Sequence, residues 1–414
     1  MRVAIIGAGI SGLTTAHLLH RDHEITVFEA DERTGGHTHT VPVDTDSGSY
    51  AIDTGFIVFN DTNYPNFERL LSEIGVDSQP SNMSFSVSDQ TGDFEYSSTS
   101  PNGLYAKRGH LLDPRFHRMV ADLLRFNREI RPLIGTNGDG PSLAEFLADG
   151  GYSTQFVERL IVPQASAVWS AAPGQMDSFP AGFMASFFEN HGMLGFTNRP
   201  KWRTVKGGSW SYVKALSAPF ADRIHAGSPV RSITRHDDRV ELATDLSGAL
   251  DFDQVVIAAH SDQALAMLAD PTAAEREILG AIPYQANEAV LHTDQAMLPK
   301  RRRAWASWNF HLLDQTPART TVTYHMNRLQ ALDSEVDFCV TLNHSEAIDP
   351  AKVIKRIDYS HPVYTAAGIS AQKRHGEISG DRTHYCGAYW GWGFHEDGVL
   401  SAIEACKAFE RVAA

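Results

Sequence analysis

Six residues near the start of the chain, Gly7-Ala8-Gly9-Ile10-Ser11-Gly12, have the types and spacing to hold a diphosphate. Gly7 permits a tight turn, Gly9 lets the main chain approach a pyrophosphate, and Gly12 lets a helix pack closely on a strand. The positive end of the helix that opens there favours the anion. Glu29 comes seventeen residues after Gly12, where a carboxylate accepts hydrogen bonds from an adenosine ribose. Near the other end, Trp390-Gly391-Trp392-Gly393-Phe394-His395-Glu396-Asp397-Gly398 is a glycine-aromatic turn carrying one ordinary base, His395. An unperturbed histidine titrates at about 6.5 and accepts a proton at neutral pH. The competing readings of His395 are a wall of the site and a helix cap. Glu396 and Asp397 are expected to cap the helix that follows, whose N-terminus favours negative charge.

The elements that must position these residues can be read around them. Val3-Ala4-Ile5-Ile6 is a strand, Leu13 to Leu19 continues a helix, and Ile25 to Phe28 is a second strand ending at Glu29. Together they form a dinucleotide-binding βαβ unit. A helix is expected over Asn66–Gly75, strands over 83–96, and mostly helices from about 104 to 200. Lys206-Gly207-Gly208-Ser209 precedes a helix through Leu216. Strands follow at Ser228–Ile233, Arg239–Thr244 and Asp253–Ala259, where the chain returns to the first domain. Residues 282–345 read as strands of a second domain, Thr383–Gly387 as a strand, and Val399–Phe409 as a closing helix.

Composition sets outer bounds. The chain has 414 residues and 42% hydrophobic content, enough for two packed domains. A net charge of −14 gives no basic face for nucleic acid. Cys339, Cys386 and Cys406 form neither a disulfide framework nor a metal-ligand spacing, so no metal is expected and a reducing cytoplasm is the default. The apolar N-terminus is broken by the glycines of the turn and reads as mature structure. No run of apolar residues is long enough to span a membrane.

Glu29-Ala30-Asp31-Glu32-Arg33-Thr34-Gly35-Gly36 resembles the segment after the second strand in FAD proteins of the amine oxidase, phytoene desaturase and protoporphyrinogen oxidase superfamily. Tyr50-Ala51-Ile52-Asp53-Thr54-Gly55-Phe56 resembles that family's turn under the flavin. The resemblance implies an α/β fold: a Rossmann-like FAD-binding domain of the glutathione reductase and amine oxidase type, interleaved with a mixed α+β substrate domain. It places the FAD-binding domain at 1–65, 201–270 and 360–414, and the substrate domain, with a helical insert, at 66–200 and 271–359. The implied cofactor is noncovalent FAD. Its expected contacts are Gly7, Gly9, Ser11, Gly12, Glu29, Arg33, Gly36, His37, Gly55, Phe56, Ile57, Val230, Gly387, His395, Gly398 and Val399. His37 stands where the family usually has arginine beside the pyrophosphate. Asp53 is expected to fix its turn by accepting main-chain N–H groups. One of the two cage positions that many amine oxidases place over the flavin falls on His395.

Two departures matter. The lysine that positions water near the flavin in amine oxidases has its best match around Leu291-His292-Thr293-Asp294, which has no lysine. The family's Gly-Asp after the last strand is Gly387-Ala388 here. More narrowly, Gly-Gly-His-Thr-His-Thr, Asp-Thr-Gly-Phe-Ile-Val-Phe-Asn and Gly-Phe-His-Glu-Asp-Gly resemble a bacterial branch encoded near cyclopropane-fatty-acyl-phospholipid synthase-like methyltransferases. Some relatives there are furan fatty acid desaturases. This implies a hydrophobic or phospholipid acyl substrate and a methyltransferase partner, with His395 as the catalytic base. Lys300-Arg301-Arg302-Arg303 beside Trp305 reads as a solvated loop or as a headgroup contact at the inner membrane face. The apolar stretches Phe183–Phe188 and Met193–Phe196 read as core or as a tunnel wall. Three functions stay open: a desaturase or oxidase of acyl chains, a flavin amine oxidase, and a noncatalytic lipid carrier of the GDP-dissociation-inhibitor type.

Overall fold

The computed structural model describes residues 1–412 except 137–138, 196, 198, 246–247 and 315–318. Phe196, the end of the second apolar stretch, lies outside the described residues. In chain order, the elements that matter for the site begin with β1 (Arg2–Ile6), α1 (Ile10–Leu19) and β2 (Glu24–Phe28). Helices α2 (Pro65–Glu73), α3 (Val162–Trp169), α4 (Ala181–Asn190) and α5 (Trp210–Ser217) follow. Then come β3 (Gln254–Ile257), β4 (Tyr284–His292), β5 (Val353–Pro362), β6 (Thr383–Tyr385) and α6 (His395–Val412).

Strands far apart in sequence share one parallel sheet, in the order Ile224–His225, β2, β1, β3, β6. Alternate residues of β1 enter different cores. Val3 and Ile5 pack with α1, α5 and α6, whereas Ala4 and Ile6 pack with the meander Val230–Phe252. A parallel sheet covered on both faces needs such an unbroken apolar strand. Ile278 and Leu279 of the helix Ala273–Gly280 join this second core, past the expected boundary at 270.

The second sheet has seven strands. Their order is β5, β4, Cys339–Leu342, Val322–His325, Trp308–Leu312, Phe85–Asp89, Glu95–Ser97. Its core takes in α3 and α4 from the helical stretch. Strand β5 was not anticipated. It is an edge strand, and Lys355, Arg356 and Asp358 interrupt the apolar alternation by which a strand is read. It also crosses the expected boundary at 360 and ends beside the nucleotide-type sheet.

The terminal helix starts at His395, four residues before the expected Val399. Gly398 is therefore helical. A Cβ there would lie 2.8 Å from Ile10 Cγ2 and 2.9 Å from Ser11 Oγ, so glycine is what brings α6 onto the first turn of α1. Among the described residues, no helix is long and apolar enough to cross a membrane.

Candidate functional site

The glycine turn divides its labour. A Cβ on Gly7 would sit 2.8 Å from the Ala258 carbonyl oxygen, and one on Gly12 only 1.8 Å from the Gly7 carbonyl oxygen. Both are packing glycines. A Cβ on Gly9 would meet nothing within 4 Å, so Gly9 borders open space at the N-terminus of α1. Gly36, in the left-handed region at φ 57°, comes so close that its Cβ would lie 3.2 Å from the Gly9 Cα. Arg33 donates to the carbonyls of Thr34, Gly36 and Thr38 and thereby bends the chain over this point. Glu29 accepts the Ala8 N–H at 2.7 Å, tying the turn to the end of β2. Val230 opens the meander and is buried, as are Ser11 beside Gly398 and Val399 one residue on. Gly387 follows β6 and gives its N–H to Ser401 Oγ at 3.0 Å.

The turn Asp53–Ile57 lies next to it. Gly55 is required because a Cβ would fall 2.1 Å from the His37 carbonyl oxygen, which accepts the Phe56 N–H at 2.8 Å. Phe56 and Ile57 are buried behind it. Asp53 is fully buried and accepts from Ser209 N–H (2.9 Å), Ser209 Oγ (2.8 Å), Gln330 Nε2 (3.0 Å) and Thr40 Oγ1. It buckles its own turn to the Gly207-Gly208 turn before α5. Burial pushes its carboxyl up to about 7 against the opposing bonds from Thr40 and Ser209.

Three histidines gather where the two bodies meet. His37 lies 5.1 Å from His361 and 6.1 Å from His260, ring centre to ring centre, and stacks on Tyr359 at 5.1 Å. Burial, reinforced by neighbouring histidines, lowers His37 to about 4, His260 to about 4 and His361 to about 3. All three are neutral at pH 7. His37 Nε2 is buried with no hydrogen-bond partner among the described residues, a cost normally met by a ligand or water. Tyr359 shares a hydrogen bond with Thr54 at 2.9 Å, which brings β5 onto the turn at Gly55. Among the described residues, no group of three His, Cys, Asp or Glu side chains is arranged to hold a metal.

The stretch Leu291–Asp294, expected to face the site, lies at the other end of β4. His292 bonds Thr341 at 2.7 Å and Asp294 holds Lys352 at 2.9 Å. The residues of β4 nearest the nucleotide-type body are Tyr284, stacked on His260 at 4.4 Å, and Asn287, bonded to His361.

His395 is the first residue of α6 and is buried. Its ring stacks on Phe56, and its Nε2 is shared between Thr38 Oγ1 and Tyr212 Oη, each at 3.0 Å. The ordinary titration expected of it is corrected: burial first, then His37, hold its pKa well below 6.5. The capping expectation is also divided. Asp397 accepts the Phe394 N–H at 2.9 Å and so closes the start of α6. Glu396 instead caps α2.

Beside the turn Trp392–Phe394 lies an aromatic cluster. Phe187 stacks on Phe394 at 5.2 Å, Phe183 on Tyr364 at 5.2 Å, and Trp169 lies 4.9 Å from Phe187. The indole N–H of Trp169 and the hydroxyl of Tyr364 are buried and unpartnered among the described residues. His191, stacked on Phe187 at 3.9 Å, gives Nδ1–H to the Phe187 carbonyl and keeps Nε2 buried and unpartnered. Burial lowers it to about 4. Trp169, Asn287 and the pair His361 and Tyr364 carried no sequence signal, because they come from three different stretches of chain. His260 had one: it follows a parallel strand at its C-terminal end, where such sheets bind ligands.

The basic run is largely committed within the protein. Arg301 pairs with the fully buried Glu95 at 2.8 Å, Lys300 donates to the Thr91 carbonyl, and Arg303 to the Ala106 carbonyl. Arg302 lies over the Trp305 ring.

Comparison with known proteins agrees with this geometry. Residues 10–323 match the family model described as flavin containing amine oxidoreductase. A flavin-containing monooxygenase of Aspergillus flavus is 61% identical over 36 residues, a stretch covering 8% of this chain and only 9% of that protein. Among solved structures, cyclohexylamine oxidase from Brevibacterium oxydans superposes with a TM-score of 0.70 at 16% identity, covering 100% of this chain and 99% of that one. A CLA-producing fatty acid isomerase from P. acnes gives 0.68 at 16% identity, covering 99% and 98%. At such identities these two structures establish a shared fold.

Proposed function

Starting from the fact that the chain belongs to the flavin containing amine oxidoreductase family and is an FAD-dependent oxidoreductase, we propose that it oxidises or desaturates a lipid acyl chain. The carrying observation is the polarity of the aromatic cluster, which we read as the substrate chamber. Trp169 offers a donor and no acceptor, and Tyr364 offers a hydroxyl, both buried without partners among the described residues. A carboxyl or ester oxygen satisfies both groups, whereas an ammonium, itself only a donor, can bond the Tyr364 hydroxyl but leaves the Trp169 N–H unpaired. Leaving a buried donor unpaired costs roughly 1–3 kcal/mol, so the chamber discriminates between the two. The fatty acid isomerase among the similar structures supports this reading.

The residues fit FAD. Gly9 borders open space at a helix N-terminus, Gly36 closes over it, and His37 keeps an unpartnered nitrogen beside it. Gly7, Gly9, Ser11, Gly12 and Gly398 would hold the diphosphate end, Glu29 and Val230 the adenosine, and Gly55, Phe56 and Ile57 the flavin end. Bound there, FAD supplies the hydride acceptor. Phe183, Phe187, Trp392 and Phe394 exclude water from the reacting chain. His191, neutral and with a free Nε2, takes the proton-acceptor role expected of His395. His395 forms a wall.

The amine reading has one observation in its favour: aromatic faces attract cations. Anaerobic mixing with fatty acids, acyl esters and hydrophobic amines separates the readings by loss of oxidised flavin absorbance. Rapid bleaching by a simple amine and none by any acyl compound would overturn the acyl proposal. The complete cofactor cradle weighs against a carrier. Acid precipitation should release the yellow colour, since the reading holds FAD without a covalent link.

A further inference from the structure

Asn287 and Asn343 fix the hydrogen positions of His361 through a chain of bonds. The Glu288 N–H donates to Asn343 Oδ1 at 3.0 Å, and Asn343 Nδ2 donates to the Thr320 carbonyl at 2.9 Å. These two main-chain partners leave one orientation of the Asn343 amide. Its Nδ2 also donates to Asn287 Oδ1 at 2.8 Å, so the Asn287 oxygen is the acceptor and its Nδ2 the donor. That Nδ2 donates to His361 Nδ1 at 2.8 Å and to the Gln285 carbonyl at 3.3 Å. His361 Nδ1 must therefore accept. A neutral imidazole whose Nδ1 accepts carries its proton on Nε2. Nε2 has no hydrogen-bond partner among the described residues.

The ring is well placed to use that proton. His361 stands 5.1 Å from His37, which follows the Gly36 that closes over Gly9. From this geometry we infer that Asn343 and Asn287 lock His361 as the Nε2–H tautomer, and that His361 donates this hydrogen bond to FAD. Asn287 and Asn343 are positioning residues. They hold a neutral donor beside His37. Imidazole protonation would leave Nδ1–H facing the Asn287 amide donors, so the same chain opposes a second proton. The inference rests on FAD being the cofactor and not on the acyl substrate.

Two measurements test it on the holoenzyme. With histidine labelled in ¹⁵N, the His361 signal, assigned by its absence in His361→Gln, should show a protonated Nε2 and bare Nδ1 from about pH 7 to 9, where neutral imidazole prevails. In Asn287→Leu the two tautomers should mix. FAD retention on ultrafiltration provides the second readout. His361→Gln places an amide donor at the Nε2 position and should hold FAD within about threefold of the parent. His361→Asn places its amide at the Nδ1 position and should lose about tenfold in affinity, the size of one hydrogen bond. A protonated Nδ1 in the parent would overturn the inference. So would equal FAD retention by the Gln and Asn variants, whether both are weak or both normal.

Discussion

The carboxylate of Glu396 caps a helix to which it does not belong: it accepts the Phe67 N–H at 2.9 Å and the Asn66 N–H at 3.1 Å, at the start of α2. Asn66 Nδ2 adds a third bond at 2.6 Å. Glu396 stands in the first turn of α6, so one side chain joins the site-bearing helix to α2 and closes the N-terminus of α2. Losing a cap costs roughly 0.5–2 kcal/mol. Glu396→Ala should therefore lower unfolding free energy by about 1–2 kcal/mol, read from a denaturant midpoint, and leave the flavin spectrum unchanged. An unchanged midpoint would remove Glu396 from the list of structural carboxylates.

Asp53 and Asp397 give the fold a pH dependence of definite sign. Burial raises both from an ordinary 3.8 to about 7. Between those values the folded state holds more protons than the unfolded state. Unfolding free energy therefore falls as pH rises from about 4 to about 7, and levels off above. Asp53→Asn, which keeps an acceptor for the Ser209 N–H, should flatten this slope. Denaturant curves across that range decide it, and a slope identical to that of the parent would mean that Asp53 ionises normally in the fold.

What could be read in advance follows from what kind of constraint each residue answers to. Gly7, Gly9 and Gly12 answer to local geometry, and their spacing with Glu29 carries the βαβ unit by itself. Unbroken apolar runs likewise mark β1 and β3. Strand β5 was hidden because an edge strand tolerates Lys355, Arg356 and Asp358, and with it went Tyr359 and His361. The start of α6 was misplaced because Gly398 reads as a turn residue. Its actual reason is contact with Ile10 and Ser11, nearly the whole chain away. The chamber was out of reach for the same cause: Trp169, His191 and Tyr364 become neighbours only through the packing of α3, α4 and the end of β5. His395 was visible as a histidine in a glycine-aromatic turn. The depth at which it is buried, which removes its ordinary titration, was not.

Trp169→Phe tests the donor chamber. The substitution keeps an aromatic wall and removes the only polar atom of the side chain. Affinity for a fatty acid or acyl ester should fall about tenfold, the value of a hydrogen bond to a charged or strongly polar oxygen. Affinity for a hydrophobic amine should hold or rise. Difference spectra of the bound flavin report both, and a thermal melt controls for the smaller ring in the core. Equal losses for acid and amine would show that Trp169 contributes packing alone.

The two buried histidines nearest the aromatic turn should behave oppositely. His395 Nε2 is engaged by Thr38 and Tyr212, its ring is stacked on Phe56, and its pKa lies well below 6.5. It has no nitrogen lone pair that titrates in the neutral range. His191 is also neutral, yet its Nε2 is unpartnered and its Nδ1–H is fixed by the Phe187 carbonyl, so the lone pair is free to accept. A lost acid–base group slows a reaction by roughly 10²–10⁴. His191→Phe should therefore keep FAD and slow flavin reduction by about 10²–10⁴-fold, whereas His395→Gln, which can still bond Thr38 and Tyr212, should stay within about tenfold of the parent. Stopped-flow reduction with the best substrate gives both rates. The pH profile adds a control, because a base held at about 4 leaves no inflection near neutrality. If His395→Gln is the slow variant and His191→Phe the normal one, the proton acceptor is His395 after all, and the burial that holds it neutral must relax when substrate binds.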